Sequence, residues 1–230
     1  MREYWLTVNL ESDATFGRGE GVAGLVDTEI EHDPAGCPFV NGRTLKGWLV
    51  EAWLDIRHAL PHSMDEEARR LFGQGSDHQA ELHIGAATLP PNLRAALHAD
   101  VQRGTLQPAD LLTVLTTIRR QTAVDHERDT PQTGSLRSLR ALRRDTLLIA
   151  PLHFERDPAP TDLQLLAACA LGVRRGGLGR NRGRGKLLLR LHDQQPTATA
   201  AAYGDATFTH QHFAQFVQDV HKPHGIGATR

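Results

Sequence analysis

Residues 145–190 read DTLLIAPLHFERDPAPTDLQLLAACALGVRRGGLGRNRGRGKLLLR, and the order of patterns inside this stretch sets the fold class. DTLLIAPLHF at 145–154 is a short apolar run, which predicts a strand. Thr161 followed by Gln164 reads as a capping box opening a helix. Leu163, Leu166, Ala167 and Ala170 then recur on one face of that helix. Gly176 and Gly177 follow as its stop, and residues 186–191 return to an apolar strand pattern.

The half of the chain before this stretch repeats the scheme. Over residues 3–12, Tyr4, Leu6, Val8 and Leu10 alternate with Trp5, Thr7 and Asn9, as an amphipathic strand does. A glycine-rich segment with Gly17, Gly19, Gly21 and Gly24 comes next and is expected to be mobile. Residues 44–60 switch to helical spacing, with Leu45, Trp48, Leu49, Ala52, Trp53 and Ile56 in one stripe and Pro61 as the stop. Residues 80–89 read as another strand. The order is β-α-β-β-α-β, so the expected fold is α+β, ferredoxin-like or RRM-like, a split βαβ topology.

Two insertions interrupt this scheme. Residues 91–118 read as helical surface elements broken at Gly104 and Pro108. Residues 119–144 are polar, Arg-rich and without a clear period, a long connection of the kind that is usually functional or disordered. One domain over 1–192 is expected, with 193–230 as a C-terminal extension. That extension holds the low-complexity ATATAAAYG at 198–204 and a short helix over 209–221.

Composition narrows the partners. The 230 residues carry 26 Lys plus Arg against 27 Asp plus Glu, a net charge of -1, so bulk charge alone points to no polyanion. The distribution does. Only Lys46, Lys186 and Lys222 are lysines; the other basic residues are Arg, whose fork suits bidentate phosphate contacts. Two cysteines build neither a disulfide framework nor a four-Cys zinc site. MREYWLTVNLESD has no apolar signal-like run, and no stretch approaches the roughly 18 apolar residues of a membrane span. A cytoplasmic protein with no membrane partner is the expectation.

The segment from Arg174 to Arg190 holds seven basic residues and no acidic one. Arg174, Arg175, Arg180, Arg182, Arg184 and Lys186 supply charge. Gly177, Gly183 and Gly185 let the backbone approach a ligand closely. It is not a Walker A loop, because position 180 is Arg and Leu187 follows Lys186. It is not a Rossmann fingerprint, because it follows a helix and precedes a strand. A polyanion-binding loop is the expected reading, with a solvated basic turn as the plain alternative. A second cluster, Arg137, Arg140, Arg143 and Arg144, follows Arg119, Arg120 and Arg128. At the start of the first helix, Gly42, Arg43, Thr44 and Lys46 offer free amides and a charge to a phosphate.

Asp27, Glu29, Glu31 and Asp33 would share one face of a strand. There they could hold a divalent metal or act as acid and base; an exposed edge strand would read the same way. The 13 histidines are read chiefly as surface residues, including His58 with His62, His78 with His83, and His210, His212, His221 and His224. Cys37 and Cys169 are read as small buried apolar residues.

Four blocks in order carry a resemblance to a known family. They are VDTEIEHDPAGCPFVNGRTLKGWLVEAW at 26–53, LFGQGSDHQAELHIGAATL at 71–89, TAVDHERDTPQTGSLRSLRALRRDTLLIAPLHF at 122–154 and GGLGRNRGRGKLLL at 176–189. Together they resemble the RAMP superfamily of CRISPR-associated proteins, and within it the backbone subunits of type III effector complexes. GRTLKG at 42–47 is similar to the family's Pro-Gly-Ser-Ser-Leu-Lys-Gly turn, although Asn41-Gly42-Arg43-Thr44 departs from it. No Cys/His zinc insert is present, and the tail from 193 has no counterpart in the resemblance.

The resemblance implies an RRM-like fold lying along a guide RNA, several copies side by side in a filament with other effector subunits, and a thumb hairpin in the 122–144 region that interrupts the guide–target duplex. It implies a cleaving acid on a flexible loop, here Asp27, acting on complementary target RNA with a divalent cation (Mg or Mn) and no organic cofactor. The expected RNA contacts are Gly42, Arg43, Thr44 and Lys46; Arg119, Arg128, Arg137 and Arg140; and the loop residues Arg174 to Lys186 named above. Two other readings stay open: a structural RNA-binding subunit without cleavage, and a standalone endoribonuclease that processes guide precursors. An unrelated phosphate-binding enzyme is a fourth.

Overall fold

The computed structural model describes residues 3–61, 63–73, 79–122, 124–125, 130–131, 134–196 and 203–222. Along the chain these form β1 (Glu3–Leu10), β2 (Phe39–Val40), α1 (Gly42–Ile56), α2 (Asp65–Phe72), β3 (Leu82–Ile84) and β4 (Ala87–Thr88). The helical insert is α3 (Pro91–Gln102) and α4 (Pro108–Leu115). Then come β5 (Thr116–Gln121), β6 (Val124–Asp125), β7 (Thr130–Pro131), β8 (Arg137–Leu142), β9 (Leu147–Phe154), α5 (Pro160–Gly172), β10 (Leu187–His192) and α6 (Thr207–His221).

The main sheet runs β10-β1-β9-β4-β2, with β3 also paired to β9. Every one of these pairings is antiparallel. β1 is central, with Leu6 opposite Leu191 on one side and Ala150 on the other. Counting the strands of the split βαβ alone, the order is fourth, first, third, second. The α+β, ferredoxin-like expectation therefore holds.

Burial follows the alternation of β1. Leu6, Val8 and Leu10 are fully buried, and they pack with Leu45 and Leu49 of α1 and Leu165 and Leu166 of α5 in one core. Closing off that much apolar surface is the main stabilising term, at roughly 25 cal/mol per Å2 removed from water. α6 packs on α5 and finishes the free edge of β10: the Thr209 hydroxyl accepts from Leu191 N (2.8 Å) and donates to Leu191 O (3.2 Å). A bare sheet edge would leave those groups as a template for other chains.

Several local readings need correction. The strand read over 80–89 is two pieces, β3 and β4. Ile84 pairs with Leu152 but Thr88 pairs with Ile149, so one extra residue is taken up between them, as in a β-bulge. Pro151 of β9 sits at this point, and a Cβ on Gly85 would come within 2.7 Å of its ring. The cap of α5 is not Thr161: Ala159 is the N-cap and its N–H donates to Asp162 (3.0 Å), whose carboxylate also takes Arg70 (2.8 Å). α5 ends at Gly172 with Val173 as its C-cap, ahead of Gly176.

The Arg-rich stretch forms structure of its own. β5 and β8 pair antiparallel from Thr116↔Leu142 to Gln121↔Arg137, and β6 pairs with β7 beyond them. Residues 27–29 join as a third strand-like run beside β8, through a parallel bridge between Thr28 and Leu139. The glycine-rich segment read as mobile has a definite turn: Val22 and Val26 exchange backbone hydrogen bonds of 2.8 and 3.0 Å. No helix among the described residues is long and apolar enough to cross a membrane.

Candidate nucleic-acid interface and active site

The parallel run of 27–29 against β8 decides where the acidic residues go. Side chains alternate along a strand, so Asp27 and Glu29 face the same side as their neighbours Ser138 and Arg140. The pair nearer the core, Glu29 and Arg140, is buried. Arg140 Nε donates to Glu29 Oε1 (2.7 Å) and Arg140 Nη1 to the Thr116 hydroxyl (3.1 Å), while Ile30 N also donates to Glu29 (3.0 Å). Arg140 is 7% exposed. Expected as an RNA contact, it is instead a strut that ties the hairpin to the 27–29 run, since a buried guanidinium needs a partner anion.

The outer pair, Asp27 and Ser138, is open to solvent. Asp27 Oδ2 accepts from Ser138 N (2.6 Å) and from the Ser138 hydroxyl (2.9 Å), and Asp27 N donates to Ser138 O (2.8 Å). The Ser138 amide, then its hydroxyl, holds the Asp27 carboxyl below its ordinary value, with a smaller contribution from the charge of Arg137. This carboxylate is ionised at neutral pH, suited to accept a proton or bind a cation and unsuited to donate one. The expectation of a flexibly delivered acid is corrected: the group is held by hydrogen bonds to the hairpin. It lies at a cleft of about 680 Å3 that Val22, Leu25, Leu136 and Arg120 also line.

The four acids do not share a face. Glu31 is half-buried, and Asp33 lies elsewhere. Asp33 Oδ1 caps the turn at Ala35 and Cys37 (3.0 Å each), and its Oδ2 takes Arg94 (2.9 Å) and His98 (2.8 Å) from α3. Ligand atoms of Asp33, Cys37 and His98 lie within 4.8 Å of one another. Arg94 already puts a fixed positive charge on the carboxylate oxygen. Burial, then the Asp33 charge, pushes the Cys37 thiol up to about 11. The group therefore works as a polar clasp between the turn and the helical insert.

The basic loop folds back on itself. Gly176 N donates to Gly185 O (2.9 Å) and Leu187 N to Arg174 O (3.1 Å). A 3-10 turn over Arg180–Arg182 sits between Gly179 and Gly183, both left-handed. Some charges are matched internally: Arg180 with Glu51 (2.8 Å), Lys186 with Glu11 (2.8 Å) and Arg119 with Asp13. Arg175 donates to Arg180 O (2.9 Å). The side chains of Arg43, Arg174, Arg182 and Arg184 make no hydrogen bond or ion pair with the described residues.

Two expected glycine roles also change. A Cβ on Gly185 would meet Gly176 O at 2.0 Å, and one on Gly177 would meet Thr15 O at 2.6 Å. Both close approaches are internal to the chain. Gly42 is likewise buried, with Ile84 O at 1.9 Å from a Cβ position, so it seats α1 against β3.

The start of α1 and the basic loop do meet. A groove of about 460 Å3 is shared by Asn41 and Thr44 from the helix start and Gly177, Leu178 and Arg180 from the loop. Asn41 is the N-cap, accepting from Arg43 N (3.0 Å). Burial lowers the Lys46 ammonium below its ordinary value. Arg128 lies outside the described residues, as do His62, His78 and His224. Ser138 and the Asp33 clasp were not legible, because their partners are far apart in sequence and of ordinary residue types.

The class follows from these parts: a split-βαβ palm carrying a basic, glycine-rich loop and a separate hairpin that holds one ionised acid beside a cleft. The sequence profile of the RAMP superfamily matches residues 7–187, and the chain belongs to that superfamily. No curated protein matches the sequence. Among solved structures, a chain of the type III-B Cmr-beta complex bound to cognate target RNA superposes with a TM-score of 0.62 at 11% identity, covering 83% of this chain and 97% of that one. A chain of the apo Cmr-beta complex gives 0.58 at 12%, with the same coverage. At these identities the likeness is one of fold.

Proposed function

We propose that this protein is a guide-RNA-binding backbone subunit of a type III CRISPR effector complex that cleaves complementary target RNA. The observation that carries the reading is the Asp27 carboxylate, exposed, held by Ser138 and ionised, beside an open cleft on a hairpin. The guide would lie along the palm, over the groove between the start of α1 and the basic loop, with Arg174, Arg182 and Arg184 toward its phosphates. Several copies would stand side by side with other effector subunits in the cytoplasm. The fold likeness to chains of Cmr-beta complexes, one of them bound to target RNA, supports this.

In the reaction, the Asp27 carboxylate takes the proton of a target 2′-hydroxyl. The 2′-oxygen forms a bond to the adjacent phosphorus while the bond to the 5′-oxygen breaks in line. Water returns a proton to that leaving oxygen, giving a 2′,3′-cyclic phosphate and a 5′-hydroxyl. Among the described residues lining the cleft, Asp27 carries the one carboxylate a divalent cation would find. That fits a Mg2+ that keeps its waters and a phosphate better than a protein cage. When bound, it would neutralise phosphate charge.

The test is a complex reconstituted with guide and labelled complementary RNA, with and without Mg2+. Regularly spaced products from wild type, reduced about 10²–10⁴-fold by Asp27→Ala with target binding intact, support the proposal. Equal cutting by both removes Asp27. Binding without cutting by wild type favours a structural subunit, and cutting of guide precursor by free monomer favours a processing enzyme.

A further inference from the structure

The hairpin places a second charged side chain, Arg120, at the Asp27 cleft. Arg120 of β5 pairs with Ser138 of β8, and Ser138 holds Asp27. Cross-strand partners project from the same face of a sheet. Arg120, Ser138 and Asp27 therefore form one row across three adjacent strands. The next row inward is Ile118, Arg140 and Glu29, where the Arg and the Glu meet directly and are buried. In the outer row the small Ser138 stands between the cation and the anion. Strands lie about 4.8 Å apart, so the Cα atoms of Arg120 and Asp27 are separated by about 10 Å, the width of two strand spacings.

That gap is open. Arg120 is exposed and has no hydrogen bond or ion pair among the described residues, whereas its neighbour Arg119 turns to Asp13. Arg120, Asp27 and Ser138 all line the same cleft, with the exposed apolar side chains of Val22, Leu25 and Leu136 around them. A cationic fork facing a carboxylate across such a space suits one ligand chemistry, a phosphodiester whose ribose hydroxyl reaches the carboxylate. The apolar walls offer a surface to a base lifted from its stack.

We infer that Arg120 binds the scissile phosphate of the target RNA, holding its phosphorus in line with the 2′-hydroxyl that Asp27 deprotonates. This rests on the cleavage reading above and adds a residue to it. The guanidinium donates to the non-bridging oxygens, whose charge grows as the 2′-oxygen adds. The proton still passes to Asp27 and the electron pair to the 5′-oxygen. Removing one such donor from a transition state commonly costs about 10²–10³-fold in rate.

The experiment uses the assembled complex with guide, and maps the scissile positions from wild-type products. Arg120→Ala is expected to lower the rate of cutting at saturating target about 10²-fold. Assembly and guide content should change little, and Arg120→Lys should restore part of the rate. A second readout avoids catalysis. Target with 2′-deoxyribose at the scissile nucleotides is compared with the same target carrying one neutral methylphosphonate at a scissile position. Wild type should bind the charged target about tenfold more tightly, and Arg120→Ala should bind the two equally.

If wild type cuts and Asp27→Ala does not, but Arg120→Ala cuts at the wild-type rate and discriminates as wild type does, this inference fails and the cleavage reading stands. If wild type cuts nothing, the cleavage reading fails and takes this inference with it.

Discussion

Asp27 and Ser138 stand 111 positions apart in the chain, yet Ser138 gives the Asp27 carboxylate both its amide hydrogen bond (2.6 Å) and its hydroxyl hydrogen bond (2.9 Å). The first fixes orientation through the backbone, and the second adds a donor only a hydroxyl-bearing residue supplies. Both stabilise the ionised form. The Asp27 carboxyl is thus held below its ordinary value of 3.8. Asp27 is charged above that lowered value and loses its charge as pH falls through it.

Cutting that depends on this carboxylate is therefore expected to show no loss from Asp27 protonation near neutral pH. Its acid limb should lie below the ordinary aspartate range. Ser138→Ala removes the hydroxyl donor and leaves the amide, so the limb should move upward toward 3.8. A pH profile of single-turnover cutting by wild type and Ser138→Ala checks this. An unchanged acid limb in the variant would show that the hydroxyl does not tune the acid.

The legibility of the site divides along the same line. Alternation in β1 and the 3.6-residue stripe of α1 could be read directly, because burial imposes its period on local sequence. The palm and both of its helices followed. The hairpin could not be read so: Thr116–Gln121 and Arg137–Leu142 lack a shared apolar face, and Arg140 looks like any arginine of a basic cluster until Glu29 comes against it. Composition pointed to Arg119 and Arg180 as phosphate contacts, but both meet acids that only the folded chain brings near. Gly177 and Gly185 were noticed for the right property, close approach, with the wrong neighbour, while Gly42, noticed for a free amide at a helix start, is needed for its close approach to Ile84 O.

The Glu29–Arg140 pair gives the sharpest stability prediction. Both side chains are buried, 2% and 8% exposed, so removing one strands the other's charge. Arg140→Ala is expected to cost about 3–5 kcal/mol, measured by denaturant unfolding of the isolated chain. Arg182→Ala, exposed and without a partner among the described residues, should leave stability within about 0.5 kcal/mol. A similar small loss at both positions would show that the pair is not desolvated in solution.

Guide binding provides a separate handle on the basic loop. Arg174, Arg182 and Arg184 keep their charge free, while Arg180 and Lys186 already face Glu51 and Glu11. Changing the first three to Ala should weaken RNA binding whatever its sequence. It should also reduce the slope of log K against log salt by about 0.7 per lost contact. Arg180→Ala should change the slope less, since its charge is partly matched in the free protein. A titration series against single-stranded RNA at several salt concentrations measures both. Equal slopes for wild type and the triple variant would move the interface away from this loop.

The glycines of that loop separate folding from binding. A Cβ at Gly185 would lie 2.0 Å from Gly176 O, and backbone cannot step aside cheaply. The loop closes on that contact, since Gly176 N donates to Gly185 O. Gly185→Ala should therefore lower the melting temperature and loosen the junction of the loop with β10. Gly183 also has a left-handed φ, of 78°, but open space around its Cβ position. Gly183→Ala should cost only the backbone term, about 1–2 kcal/mol. If RNA phosphates lie against Gly183, its added methyl will reduce RNA affinity beyond what the stability loss explains. Melting curves and RNA titrations on the two variants distinguish the roles: a drop in melting temperature that is larger for Gly183→Ala than for Gly185→Ala would contradict the packing assigned to this loop.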